Sequence, residues 1–196
     1  MKKNIRKAQK NKIVDIIAVL DKSGSMSNIQ EEMVQAFNMF IKEQRKLEGN
    51  ARLTLITFNQ NVTVPINLVD LDEVPELEYH DVAPGGSTAL NDAIGMAFAK
   101  GEGAENVVML IQTDGQENCS QIYNTRTIRR LVTEKEEMGW DISFIGADID
   151  AFADGNMYGF SQDKCFGFNK NQQGMNNFST YVGQTVTTYR NSVNQK

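Results

Sequence analysis

The stretch Ile13-Val14-Asp15-Ile16-Ile17-Ala18-Val19-Leu20, running into Asp21-Lys22-Ser23-Gly24-Ser25-Met26, decides how this chain is read. Its first half carries one polar side chain, Asp15, and is rich in β-branched residues. Such a run reads as a strand buried on both faces, the mark of a central strand in a parallel sheet. The second half places a carboxylate and two hydroxyls where that strand gives way to a segment of helical periodicity. These are hard oxygen donors, suited to a small hard cation such as Mg²⁺ or Mn²⁺ and unsuited to zinc or copper.

Working outward, Ser27-Asn28-Ile29-Gln30 has the form of a capping box. Ile29, Met33, Phe37, Phe40, Ile41 and Leu47 then share one helical face, with Gly49 as a stop. Residues 51–58 (ARLTLITF) and 62–68 (VTVPINL) read as two strands. The three-residue turn between them permits only an antiparallel hairpin. Pro65 cannot donate to a ladder, which puts the second arm at the sheet edge. Residues 70–79 are acidic and read as a surface connection.

A short helix over 91–100 precedes a second buried strand at 106–113 (NVVMLIQT). Beyond it come a helix near 125–138, a strand at 141–147, and a loop at 148–159 with room for a helical turn. A last short strand at 164–168 leads into a closing helix with Met175, Phe178, Tyr181, Val182, Val186 and Tyr189 inward. The alternation predicts an α/β three-layer sandwich of Rossmann-like design: a mostly parallel central sheet, one antiparallel edge strand, helices on both faces.

The 196 residues form one expected domain over 13–196, preceded by a basic leader over 1–12 that contains Lys2, Lys3, Arg6, Lys7, Lys10 and Lys12. Net charge is −5, and no basic stripe crosses the interior, which argues against nucleic acid as the main partner. No stretch is long and apolar enough to suggest a membrane span, and the run at 13–20 lacks the cleavage pattern of a secretory signal. Cytoplasm is the expected compartment, with release by lysis or incorporation into a virion as the alternatives. Cys119 and Cys165 make no disulfide framework; Cys165 falls in an apolar strand and reads as a small core residue. His80 reads as a surface loop residue, Trp140 as packing, and Asp148 and Asp150 as solvated loop carboxylates.

In open α/β sheets, ligands sit outside the carboxyl ends of the strands where strand order reverses. Asp21 and Asp114 end the two most buried strands, so neighbouring placement of those strands would bring the carboxylates into one crevice. A third loop, Gly85-Gly86-Ser87-Thr88, offers a hydroxyl just before a helix. Taken singly, Ser23 and Ser25 suit helix capping, and Asp114-Gly115 suits a turn.

Taken together, Asp21-x-Ser23-x-Ser25, Thr88 in a Gly-rich turn and Thr113-Asp114-Gly115 resemble a von Willebrand factor type A domain with a complete metal-ion-dependent adhesion site, of the small stand-alone bacterial or bacteriophage kind. The order of elements from Ile13 onward is similar too. The resemblance implies that Ser23, Ser25 and Thr88 ligate a divalent cation directly, with Asp21 and Asp114 acting mostly through bound water. It also implies a partner protein that presents an Asp or Glu to the open coordination position, and no enzymatic activity. The competing expectation is a metal-dependent phosphohydrolase or transferase using Asp21 as nucleophile or ligand. No phosphate-cradling Gly-rich loop with Lys accompanies it.

Overall fold

The computed structural model describes residues 12–195. The sequence-derived basic leader lies outside them, save for Lys12. Six strands form one sheet in the order β3-β2-β1-β4-β5-β6. Their spans are β1 Val14–Asp21, β2 Ala51–Phe58, β3 Val62–Asp70, β4 Val107–Thr113, β5 Asp141–Ala147 and β6 Cys165–Phe168. All neighbours pair in parallel except β2 and β3, which are antiparallel. The three-residue turn at 59–61 dictates that exception, and β3 with Pro65 forms the sheet's edge. The strand order reverses between β1 and β4, the two strands that sequence reading marked as most buried.

Period-2 alternation along β1 sorts its side chains between two cores. Ile16, Ala18 and Leu20 face α1 (Gln30–Gln44) and α5 (Gln172–Asn194), packing with Phe37, Phe40, Phe178 and Val186. Ile17 and Val19 face α2 (Leu90–Lys100) and α3 (Thr125–Glu137), packing with Ile94, Phe98, Ile128 and Val132. Burial of both faces accounts for the lack of polar relief in β1 and β4. Among the described residues, no helix is long and apolar enough to cross a membrane.

Several local expectations change. The capping box at Ser27 does not form: Gly24–Asn28 is a 3₁₀ turn, and α1 begins at Gln30 after an uncapped Ile29. Ser27 lies inside that 3₁₀ turn, two residues before the Ile29 cap position, and caps nothing there. At its other end α1 stops at Gln44, short of Leu47. The buried Arg190 of α5 donates to the carbonyls of Gln44 (2.6 Å) and Gly49 (2.9 Å), a cap on the last residue of α1 supplied from 146 residues away. The acidic 70–79 connection carries three buried anchors, Leu71, Val74 and Leu77. The loop after β5 contains a two-turn helix, α4 (Ala151–Met157), capped by Asp150. Cys165 is half-buried against α4, where a side chain on Gly155 would strike its sulfur.

Candidate metal centre

The β1–β4 register pairs Leu20 with Gln112, so Asp21 emerges beside Thr113. Asp21 is 1% exposed, and the chain occupies both of its carboxylate oxygens. Oδ1 accepts the Ser23 N–H at 2.7 Å, and Oδ2 accepts the Thr113 hydroxyl at 2.6 Å. Thr113 Oγ1 in turn accepts the Gly115 N–H at 3.2 Å. Burial pushes the Asp21 carboxyl above its ordinary range; the Thr113 and Ser23 hydrogen bonds oppose that shift, and the Asp114 charge adds to it.

Three further groups form a short chain. Ser25 Oγ donates to Asp114 Oδ1 at 2.7 Å. That spends its one proton, so the 3.1 Å contact between the Ser23 and Ser25 hydroxyls runs with Ser23 as donor. The remaining Asp114 oxygen accepts from the Lys170 ammonium, which also donates to the Ser25 carbonyl at 3.2 Å.

Thr88 arrives on a loop tied down at several points. Gly85 N–H donates to the Lys22 carbonyl at 2.9 Å, and Gly24 N–H to the Gly86 carbonyl at 3.1 Å. Gly86 holds φ +79°, a conformation that L side chains rarely adopt, and a Cβ there would collide with Gln60. Asn118 clamps Thr88 itself, its Oδ1 accepting the Thr88 N–H at 2.9 Å while its own N–H reaches the Thr88 carbonyl at 3.1 Å. Gly115 marks where the loops meet. A Cβ at that position would lie 3.4 Å from Thr88 Oγ1 and 3.8 Å from Ser25 Oγ.

All five sequence-predicted residues therefore sit at one edge of the sheet, at the strand-order reversal, on three loops that touch one another. As a donor set they are hydroxyls and carboxylates, the chemistry of a hard divalent cation. The ammonium on Asp114 shows that the corner accepts positive charge. Asp21, with both oxygens committed to buried donors, is poorly disposed to act as a nucleophile.

Sequence reasoning missed several residues that shape this edge. Thr113, inside the Thr113-Asp114-Gly115 motif, is one: its hydroxyl bridges β4 to the β1 carboxylate. Glu117 accepts from Asn91 N–H (2.7 Å), Cys119 N–H (2.8 Å) and Ser120 N–H (2.7 Å), joining the loop after β4 to the start of α2. Asp92 accepts from Gln121, Ile122 and Tyr123 in the same loop. Asp148, read as a solvated carboxylate, holds φ +54° and accepts the Lys170 N–H at 2.9 Å. Lys170 had one available signal: it follows the last strand at the ligand edge.

Comparison with known proteins bears on this arrangement. The family profile described as von Willebrand factor type A domain matches residues 15–188. No curated protein matches the sequence. Among solved structures, proximal thread matrix protein 1 of the mussel byssus has a TM-score of 0.68 at 18% identity, covering 89% of this chain and 46% of that one. This chain thus spans about half the length of the mussel protein, another structure of which has a zinc-occupied MIDAS motif. The vWF domain of the type V pili tip protein Mfa5 from Porphyromonas gingivalis has a TM-score of 0.67 at 12% identity, covering 89% and 96% of the two chains. For the SpRpn10 VWA domain the TM-score is 0.60 at 17% identity, with coverages of 88% and 97%. At these identities the likenesses speak to the fold.

Proposed function

The chain belongs to the von Willebrand factor type A family, metal-dependent modules of adhesion and protein interaction, and from that premise we propose that it binds a partner protein through a divalent cation. The reading assigns Ser23, Ser25 and Thr88 as direct ligands of Mg²⁺ or Mn²⁺, with Asp21 and Asp114 acting through water. The partner supplies an Asp or Glu carboxylate to the open position, and no catalysis is involved.

The observation that carries the reading is the contact chain Ser23–Ser25–Asp114, with Thr88 Oγ1 and Ser25 Oγ both within 4 Å of one point beside Gly115. Asp21's commitment to two buried donors supports a water-mediated rather than a direct role for that carboxylate. Mg²⁺ loses its waters reluctantly, so outer carboxylates held in place by the fold suit it. Neutral direct ligands leave the cation's charge incompletely quenched, which is the attraction for an external carboxylate. When bound, the cation would supply that Lewis-acidic attachment point, and the hydrogen bonds that tie the three loops together would hold its ligands in place.

Affinity capture on the immobilised chain, with Mg²⁺ or with EDTA, tests the proposal. Partner recovery is expected in Mg²⁺, with loss in EDTA and in Asp21→Ala. Equal recovery of every captured protein under all three conditions would overturn it.

A further inference from the structure

We propose that Lys170 is a tethered competitor for the cation: its ammonium neutralises Asp114 in the metal-free protein and must leave that carboxylate before a divalent cation can engage the corner. The proposal rests on the metal-binding reading and adds a residue outside the predicted five.

Lys170 is not a freely ranging surface lysine. It sits between β6 and α5, its backbone N–H donates to Asp148 Oδ1 at 2.9 Å, and Asp148 N–H donates to the Phe168 carbonyl at 2.8 Å. The next residue, Asn171, caps α5 by accepting the Gly174 N–H at 2.9 Å. Gly174 approaches the Asn169 carbonyl so closely that a Cβ would overlap it, which fixes the turn against the helix. From this base the side chain runs inward and is only 14% exposed, while the Asp114 side chain is fully buried.

The ammonium therefore ends on one member of the proposed cation site, an Asp114 oxygen, and on the main-chain carbonyl of another, Ser25. With Ser25 Oγ on the other oxygen, Asp114 has no carboxylate oxygen left without a partner. A divalent cation entering beside the ammonium meets like charge next to the fully buried Asp114 side chain, where water screens the repulsion less than in bulk. It also loses Asp114 Oδ2 as an acceptor for its bound water. Swinging the Lys170 side chain toward solvent relieves both. The main-chain tie to Asp148 can persist, so the exchange is a side-chain event that leaves α5 in place.

Reciprocity follows: whatever the ammonium contributes to the metal-free state is subtracted from cation binding. A charge-assisted hydrogen bond of this kind corresponds to roughly a tenfold to hundredfold change in affinity. Isothermal titration of Mg²⁺ and Mn²⁺ into the wild type, Lys170→Met and Lys170→Gln tests it. Both neutral variants are expected to bind about tenfold or more tightly than wild type, and in EDTA both are expected to melt at lower temperature. Equal or weaker binding by the neutral variants, with wild type binding intact, overturns the competitor role alone. Failure of all three proteins to bind either ion overturns the metal reading beneath it.

Discussion

The two carboxylates of the candidate site occupy similar strand ends and are held in opposite ways. Asp21 is bonded to a backbone N–H of its own turn and to a hydroxyl at the end of the neighbouring strand β4, and both partners are buried. Asp114 is bonded to the hydroxyl of Ser25, an exposed residue, and to an ammonium on a long flexible stem. One corner is thus a fixed part of the fold, and the other is held by partners that water can replace. The difference teaches where rigidity and exchange reside: a site that must exist before its cation arrives needs one wall built by the chain. Its opposite wall must be able to give up a contact.

Removing each carboxylate should separate the two walls. In EDTA, Asp21→Ala leaves the Ser23 N–H buried without its acceptor, while the Thr113 hydroxyl keeps the Gly115 carbonyl at 3.1 Å. The expected loss is about 1–3 kcal/mol in urea unfolding, mainly from the one orphaned donor. Asp114→Ala leaves Ser25 and Lys170 within reach of solvent, so about 1 kcal/mol is expected. Both variants should lose Mg²⁺ binding in titration calorimetry. Equal stability losses would erase the distinction between a structural and an exchangeable corner.

Thr113→Val sharpens the same comparison at smaller scale. Valine matches threonine in shape and removes the hydroxyl that Asp21 Oδ2 accepts, leaving a buried carboxylate oxygen without its donor. A destabilisation of about 1–2 kcal/mol is expected in urea unfolding, between the effects of the two aspartate variants. A change within about 0.5 kcal/mol, the range of an ordinary surface substitution, would mean that the β4 hydroxyl does not help to build the fixed wall.

How much of this was legible beforehand depends on the range of the interaction. The two-sided burial of β1 and β4, the hairpin at 59–61 and the edge position of Pro65 are written in local pattern, and the sheet follows from them with right-handed crossovers. That Asp21, Ser23, Ser25, Thr88 and Asp114 meet at one edge was legible because each lies at the carboxyl end of a strand or in a loop leading into a helix. Such positions at the reversal point share that edge. What escaped were contacts whose partners are distant in sequence and chemically ordinary. The Arg190 cap on α1, Glu117 at the start of α2 and Lys170 on Asp114 are single charged residues in helices or loops. Composition reads such residues as solvated. The capping box at Ser27 failed for the converse reason: a local motif was present, but the 3₁₀ turn Gly24–Asn28 took Ser27 into itself.

Gly115→Ala asks the finest question, because it touches neither carboxylate. Gly115 carries no positive φ, so alanine fits the backbone, and its methyl group would meet Thr88 Oγ1 at 3.4 Å and Ser25 Oγ at 3.8 Å. Those are ordinary packing distances, so stability in EDTA should change by no more than about 0.5 kcal/mol. Yet the methyl group stands between two hydroxyls that belong to different loops, on the side of the exchangeable wall. If both hydroxyls serve one cation, an apolar group there hinders its hydration and weakens Mg²⁺ binding by about fivefold, corresponding to ~1 kcal/mol. Undiminished binding in this variant would place the cation away from the Thr88 loop, and the site would then be built by the β1 and β4 corners without it.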